Sequence, residues 1–584
     1  VLAAPQAQLQ AKTDYMNDLL NNQIPYFRCS DQDIVDVYYF LWAIHMMYYI
    51  DLSDEDPDFY PHTQTAVNNF LGIHRYDAAM QIPVGSWTVD KASFANGNAL
   101  RWKTMLEYAD LSTGRIPADN LGKTWYSGLS GGVTSHVSGA WQIYQHSGDL
   151  NFLSEAYGFY RALMWDAMPG FWGRQYEAAD CLGFMALELG YPQSEADHWQ
   201  AVVNSANFDN WFNYAWTNHG LTNIFTFANP SSSNYNGLGW SSFGYMRTKG
   251  FPNDKARAMV ETWAVDGPTG FLSDANGHLS TGLLAVRPRN DWDKISENAF
   301  FITPDTNAFM LLGMFATNVD DHATKFALEH LKNYNMKWGI PTAPEAINRS
   351  YELFGDQYSN FNAGKILVIL EGIFGLSYSV VDSSFTVADN LPLEWDYMET
   401  YVPIGDSNNV EWTHVRVERI PGDHRSTKRI QVQNNTQQSL RIQPWLENKS
   451  LIKAPGNYSS QPAPGHIAYQ IEGSSDTTLE LKLSESDTAE VLAESLRLTN
   501  ELQASESEIS IQFGISSAAT DTTVILKRAT ELDGGNFEEI YRFDTSDQSE
   551  SMAPGIHSNV TPNYFTITDE LQPEGSAYYK VSAE

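Results

Sequence analysis

From about residue 33 to 375, apolar and aromatic positions recur at three- and four-residue steps, separated by loops rich in Gly, Pro, Asn and Ser. This pattern predicts helices over 33–51, 61–71, 93–109, 131–147, 151–166, 175–190, 194–216, 254–265, 297–316, 321–334 and 361–374. In AWQIYQHSGDLNFLSEAYGFYRALMW the short SGD separates two amphipathic runs, which is the spacing of a helical hairpin. So many helices in one stretch fit an all-α toroid, an inner ring wrapped by an outer one, better than a bundle. After FTVADNLPLEWDYMETYVPIG the period falls to two. The segments WTHVRVERI, KRIQVQNN, QSLRIQPWL, HIAYQIEG and TTLELKLSE alternate as antiparallel strands do, and predict a β-sandwich. A charged connector leads to EISIQFGIS, TTVILKRA, EEIYRFD, YFTITDE and AYYKVSAE, a second all-β unit whose rhythm resembles a fibronectin type III module. The expected multidomain order is an all-α toroid over 1–398, a β-sandwich over 399–488 and an acidic fibronectin III-like β domain over 497–584.

Composition narrows the partners. With 584 residues and 42% hydrophobic content the chain can bury at least one large core. Lys and Arg number 36 against 71 Asp and Glu, a net charge of −35 that opposes association with nucleic acid or anionic membranes. Residues 501–584 alone hold 15 acidic and 4 basic side chains. The densest apolar segment, VDVYYFLWAIHMMYYI, carries Asp36 and His45 and is shorter than the roughly 18 residues of a membrane span, so it reads as a buried helix. Cys29 and Cys181 allow at most one disulfide, and neither CxxC spacing nor HExxH is present, so no structural zinc, other metal or cofactor is expected. The acidity leaves room for Ca2+, but no EF-hand pattern supports it. The start VLAAPQ, without Met, is that of a processed form or a piece of a longer chain, and the expected location is secreted, periplasmic or on the cell surface.

The loops between the helices concentrate Trp, Tyr, Phe, Asn, Asp and Glu. Aromatic faces stack on sugar rings and carboxylates or amides match hydroxyls, so the expected partner is a carbohydrate. Glycosidic cleavage with inversion needs a proton donor and a second carboxylate that activates water, roughly 6.5–9.5 Å apart. In YELFGDQYSNFNAGK (351–365), Glu352 is the candidate base between Tyr351 and Phe354, with Asp356 as its competitor; either also reads as a helix cap. In MPGFWGRQYEAAD, Glu177 is the candidate acid, though acids in a first helical turn also serve the helix dipole alone. Trp87, Trp125, Trp172 and Tyr358 are candidate sugar platforms, and Arg174 and Asn362 candidate hydroxyl-binding groups.

The ordered segments FANGNALRWKTMLEYADLSTGRIPADN, GGVTSHVSGAWQIYQHSGDLNFLSEAYGFYRALMW, EAADCLGFMALELGYPQSEADHW and YELFGDQYSNFNAGKILVILEGIFGL resemble the six-hairpin, (α/α)6-barrel glycosidase superfamily, in particular the trehalase and processing α-glucosidase I group. The resemblance covers roughly residues 10–395 and implies an inverting glycoside hydrolase whose base falls on Tyr351-Glu352-Leu353 and whose acid falls between Gly170 and Glu177. Members of that group carry an Asp in the acid segment, where this chain has GFWGRQYE. Glu177 takes its place, the donor lies elsewhere, or it is missing. Two alternatives follow: a non-catalytic carbohydrate-binding or structural descendant, and a toroid-fold polysaccharide lyase using His74, Arg75 and Tyr76.

Overall fold

The computed structural model describes residues 3–66, 73–74, 78–103, 133–165, 175–205, 246–247, 251–261, 264, 284–285, 301–302, 304–336, 343–348, 353–388, 390–392, 394–405 and 410–419, and the β-strands between 427 and 583. By compactness the chain divides into two units. The first holds Val1–Glu418, Gln431–Trp445 and Ala468–Leu479, and the second holds Arg419–Ile430, Leu446–Ile467 and Glu480–Glu584.

The described helices are α1 (Ala3–Asn22), α2 (Gln32–Met47), α3 (Ala78–Gly85), α4 (Gly97–Leu100), α5 (Val133–Ser147), α6 (Leu150–Met164), α7 (Gln175–Glu188), α8 (Gln193–Ser205), α9 (Asn253–Val260), α10 (Pro304–Ala316), α11 (Asp320–Met336) and α12 (Asn360–Leu367). Wide π-turns precede α4 at Ala92–Asn96 and extend α12 through Val368–Ile373. The α5–α6 hairpin forms where the SGD signal predicts it. Gly148 leaves α5 at φ +71°, and the Asp149 carboxylate caps α6 by accepting from the Asn151 and Phe152 amides at 2.9 and 3.1 Å.

Side-chain contacts set the direction of the inner helices. Met80 of α3 lies against Gly364 of α12, and Trp87, just past α3, bonds Glu371 further along the α12 extension. Ile82 meets Gly139 of α5, and Ser86 meets Gln142. Trp141 and Tyr144 of α5 meet Phe184 and Glu188 of α7, while Ala308 and Phe315 of α10 meet Gly364 and Gly372. Each pair advances at a nearly constant sequence offset, so α7, α5, α3, α12 and α10 run parallel as one arc. A Cβ on Gly364 would sit 2.8 Å from that of Ala308, which is why the arc closes this tightly there. Helices α6, α8, α11 and α2 pack against the helices of the arc. The core between α3, α5, α6, α7 and α8 is built from Ile82, Val137, Ile143, Leu153, Tyr160, Leu182 and Trp199, all fully buried. Outside it, Arg161 and the Tyr157 hydroxyl converge on Glu195 of α8.

Short strands trim the arc. β1 (Tyr26–Cys29), β2 (Tyr49–Ile50) and β3 (His62–Thr63) precede α3. β4 (Leu284–Ala285), β5 (Phe301–Ile302), β6 (Ala343–Asn348) and β7 (Leu353–Tyr358) form one antiparallel sheet that leads into α12. β8 (Ser377–Ser379), β9 (Ser384–Val387), β10 (Tyr397–Ile404) and β11 (Glu411–Arg419) follow, and β1–β10–β11 make an antiparallel ladder. In the second unit, Ile509–Gly514 pairs with Tyr564–Asp569, and Thr523–Ala529 lies between Glu538–Asp544 and Tyr578–Ala583, giving two four-stranded antiparallel sheets.

Three expectations are corrected. The helix read over 61–71 begins as strand β3, the helix read over 297–316 starts only at Pro304, after β5, and the segment read as a loop around 353–358 is β7. Cys29 and Cys181 are both free and buried. Among the described residues no helix is long and apolar enough to cross a membrane, and no group of three His, Cys, Asp or Glu side chains could hold a metal ion.

Candidate active site at the amino end of the inner helices

A cavity of about 440 Å³ is lined along its length by Glu177, Trp141, Gln142, Arg247, Asp320 and Glu371. Glu177 lies in the first turn of α7, half-buried. Glu371 sits in the π-turn after α12, its side chain 15% exposed. Its Oε1 accepts the Trp87 indole N–H at 3.0 Å and the Gln142 amide at 2.8 Å, and Arg247 approaches Oε2 at 3.8 Å. Sequence reading missed Glu371. The available signal was a lone carboxylate inside the apolar run ILVILEGIFGL, because a buried charge demands partners.

The contact register places these two carboxylates. Gln142 bonds Glu371, and the Trp141–Phe184 and Tyr144–Glu188 contacts put Gln142 level with Met185. Glu177 lies eight residues before Met185, so at 1.5 Å per residue it is separated from Glu371 by about 12 Å along the helix axes. The same count sets Glu177 level with the first turn of α12, immediately after β7.

A bulge shapes β7 there. Ala343 and Pro344 pair with Tyr358 and Gln357, and Ala346 pairs with Phe354, so Gly355 and Asp356 together face the single Glu345. Bulges of this kind re-aim a strand beside functional sites. The β7–α12 junction is then locked by a buried polar network. Ser359 donates its amide to the Thr65 carbonyl at 2.8 Å and its hydroxyl to the Gln64 carbonyl. Gln81 of α3, fully buried, spreads its amide N–H groups over the Thr63 and Gln64 carbonyls, both at 3.1 Å, and the Ser359 hydroxyl at 2.9 Å. Asn98 of α4 ties the same point, accepting from the Thr63 amide at 2.8 Å and donating to the Gln81 carbonyl at 3.1 Å.

The remaining sequence candidates separate. Trp87 is fully buried, edge-on to His146 and Tyr378 at 4.9 and 5.6 Å, and its N–H is spent on Glu371, so it supports that carboxylate and offers no face to a sugar. Asn362 is fully buried in the first turn of α12, at the Glu177 end. Asp356 and Tyr358 have their backbone places on β7. Glu352, Trp125, Trp172 and Arg174 lie outside the described residues, as do Arg75 and Tyr76.

No family profile and no curated protein matches the chain. Among solved structures, an α-L-rhamnosidase from Dictyoglumus thermophilum is similar over 80% of this chain and 50% of its own, with 10% identity and a TM-score of 0.50. A GH78 family rhamnosidase of Bacillus sp. GL1 aligns over 68% of this chain and 40% of its own, with 11% identity and a TM-score of 0.39. A chain described as a glycosidase variant aligns over 59% of this chain and 98% of its own, with 11% identity and a TM-score of 0.40. The chain thus spans half the length of the first of these neighbours. What the first similarity shows is the fold alone, a helical region with separate β regions as in that rhamnosidase, and that neighbour is not described as a trehalase or processing α-glucosidase.

Proposed function

We propose that this chain is a glycoside hydrolase domain that cleaves O-glycosidic bonds of an oligo- or polysaccharide with inversion. The observation that carries the reading is Glu177 opening on the cavity at the level where the bulged strand β7, which bears Asp356, is locked into α12. Glu177 opens on the cavity and takes the role of proton donor to the leaving oxygen. Glu352, with Asp356 as its competitor on the same hairpin, takes the role of base for the attacking water. Glu371, held by Trp87 and Gln142 further along the axis, organises the far end of the cavity. The rhamnosidase neighbour makes α-L-rhamnosides the first substrates to try, and the trehalase-group resemblance makes α-glucosides the second.

The test is hydrolysis of 4-nitrophenyl α-L-rhamnopyranoside, 4-nitrophenyl α-D-glucopyranoside, trehalose and a rhamnose-rich pectin by the wild type, Glu177→Gln and Glu352→Gln. Loss of the base should lower kcat on every substrate by about 10²–10⁴-fold. Loss of the acid should do so on the natural glycosides but far less on the aryl glycosides, whose leaving group needs little protonation. Full activity in both variants, or no turnover of any substrate by the wild type, overturns the reading. Binding without turnover would favour the non-catalytic descendant.

A further inference from the structure

The outer face of the β1–β10–β11 ladder holds a second cavity, of about 580 Å³, lined by Leu20, Ile24, Tyr26, Arg28, Tyr39, Glu399, Tyr401 and Trp412. It belongs to the first unit and takes no part in the site described above. Its origin is the period-two pattern. Phe27, Met398, Val402, Val415 and Val417 point inward and are buried, so their neighbours line the opposite face. The ladder register sets those neighbours in two rows: Tyr26 beside Tyr401 beside His414, and Arg28 beside Glu399 beside Arg416.

Tyr401 and Glu399, the centres of the two rows, are held in place before any ligand arrives. The His414 ring stacks on one side of Tyr401 at 4.5 Å, and Tyr26 meets Tyr401 edge-on at 5.7 Å. Glu399 is pinned by His414 at 2.7 Å and by Arg416 at 3.4 Å, while Arg416 also holds Glu418 at 2.7 Å and lies over the Tyr397 ring. The Tyr39 hydroxyl bonds the Phe27 backbone at 3.1 Å. Tyr26 nevertheless remains 39% exposed.

An outward strand face needs only small or charged residues to stay solvated. Four aromatic rings in one concavity, with a guanidinium and a carboxylate side by side, have a narrower use. The rings offer apolar faces to a pyranose, and the two planar polar groups bridge adjacent hydroxyls. Arg28 and Arg416 against Glu399 and Glu418 leave the row without net charge, which suits a neutral ligand, and the volume lies within the range of small-ligand sites. Because Tyr39, Tyr401 and Glu399 are already held, less binding energy is lost to immobilising them.

We propose that this face is an auxiliary saccharide-binding site, which takes a neutral sugar unit of the polymer away from the place of cleavage. The inference rests on the carbohydrate reading of the chain, but not on Glu177 or Glu352.

Native affinity electrophoresis of the full chain in gels containing a rhamnose-rich pectin, a soluble β-glucan or a xylan tests it. At least one of these should retard the wild type. Trp412→Ala and Arg28→Ala should each weaken that retardation by about tenfold, equivalent to losing one aromatic or polar contact pair. Both variants should hydrolyse small aryl glycosides at the wild-type rate, and Glu177→Gln should be retarded like the wild type. Arg28 is exposed on an edge strand, so its variant keeps the test valid if Trp412→Ala fails to fold. Retardation that survives both substitutions, as it would if the cavity seats another polypeptide, overturns the proposal. So does an enzyme that cleaves the pectin yet is retarded by none of the three polymers. Retardation relieved by Trp412→Ala in a chain with no hydrolytic activity would uphold this site and overturn the catalytic reading.

Discussion

Replacing Gln81 by Met removes the donor group from the β7–α12 lock while preserving side-chain length and most of its volume. In the wild type the amide nitrogen serves three acceptors, the Thr63 carbonyl at 3.1 Å, the Gln64 carbonyl at 3.1 Å and the Ser359 hydroxyl at 2.9 Å. After the change the Gln64 carbonyl still accepts from Ser359, so the groups that lose a donor in a fully buried setting are the Thr63 carbonyl and the Ser359 oxygen. Each unsatisfied buried group costs about 1–3 kcal/mol, which sets the expected loss near 2–4 kcal/mol. Ser359→Ala removes the partner hydroxyl instead, and the two substitutions should be non-additive by about 1 kcal/mol because they break one network. Urea unfolding followed by helical circular dichroism reads this out, since the described helices all belong to the first unit. If the catalytic reading holds, the Gln81 variant should also lose kcat at temperatures where it remains folded. A loss below about 1 kcal/mol, or additivity within about 0.5 kcal/mol, would refute the lock.

Three further outcomes are expected. A Cβ on Gly97 would lie 1.5 Å from the Pro61 carbonyl oxygen, so Gly97→Ala should destabilise by about 3 kcal/mol or abolish soluble expression, whereas Gly158→Ala on open helix surface should raise Tm slightly. Glu371→Ala strands the Trp87 and Gln142 donors and should cost about 2–4 kcal/mol in urea titration, while Glu371→Gln keeps an acceptor for both and should leave kcat within a few-fold of wild type. Burial pushes His146 down to about 3 and His45 and His62 down to about 4, so all three are held neutral in the fold. The unfolded chain takes up those protons first, so stability is full above about pH 6.5 and falls by about 1.4 kcal/mol per histidine per pH unit towards pH 4. His146→Phe should flatten that slope by one histidine's share, and an unchanged slope would mean that His146 already titrates normally.

How much of this was legible depended on whether a segment faces one environment or two. The strands at 411–419, 427–434, 466–471 and 523–529 lie where the alternation predicts them, and in 411–419 Thr413, Val415 and Val417 are buried while their neighbours are not. Helices α2, α5, α6 and α7 were legible for the same reason at a period of 3.6. Helix α3 was not. All eight residues of AAMQIPVG are buried and Pro83 lies inside it, so an inner helix surrounded by other helices shows no periodicity to read. Strands β3 and β5 are two residues long, below what any period can mark.

The candidate site divides along a similar line. Composition placed rings and carboxylates near helix ends, but it carries no information about which ring face is free or which helix end a residue occupies. Trp87 therefore read as a sugar platform although its ring is sealed against His146 and Tyr378. Gln81 and Ser359 drew no attention, because a bond between residues 278 apart leaves no local trace. What resolved the geometry was the constant offset of contacts between parallel inner helices, which converts residue number into height along the axis. On that scale the backbone of Glu371 lies about 12 Å along the axis from that of Glu177, while the first turn of α12, which follows β7, is level with Glu177. In the proposed reading Glu371, held by Trp87 and Gln142, is a positioning group, because a group that must move a proton needs an unoccupied face toward its substrate.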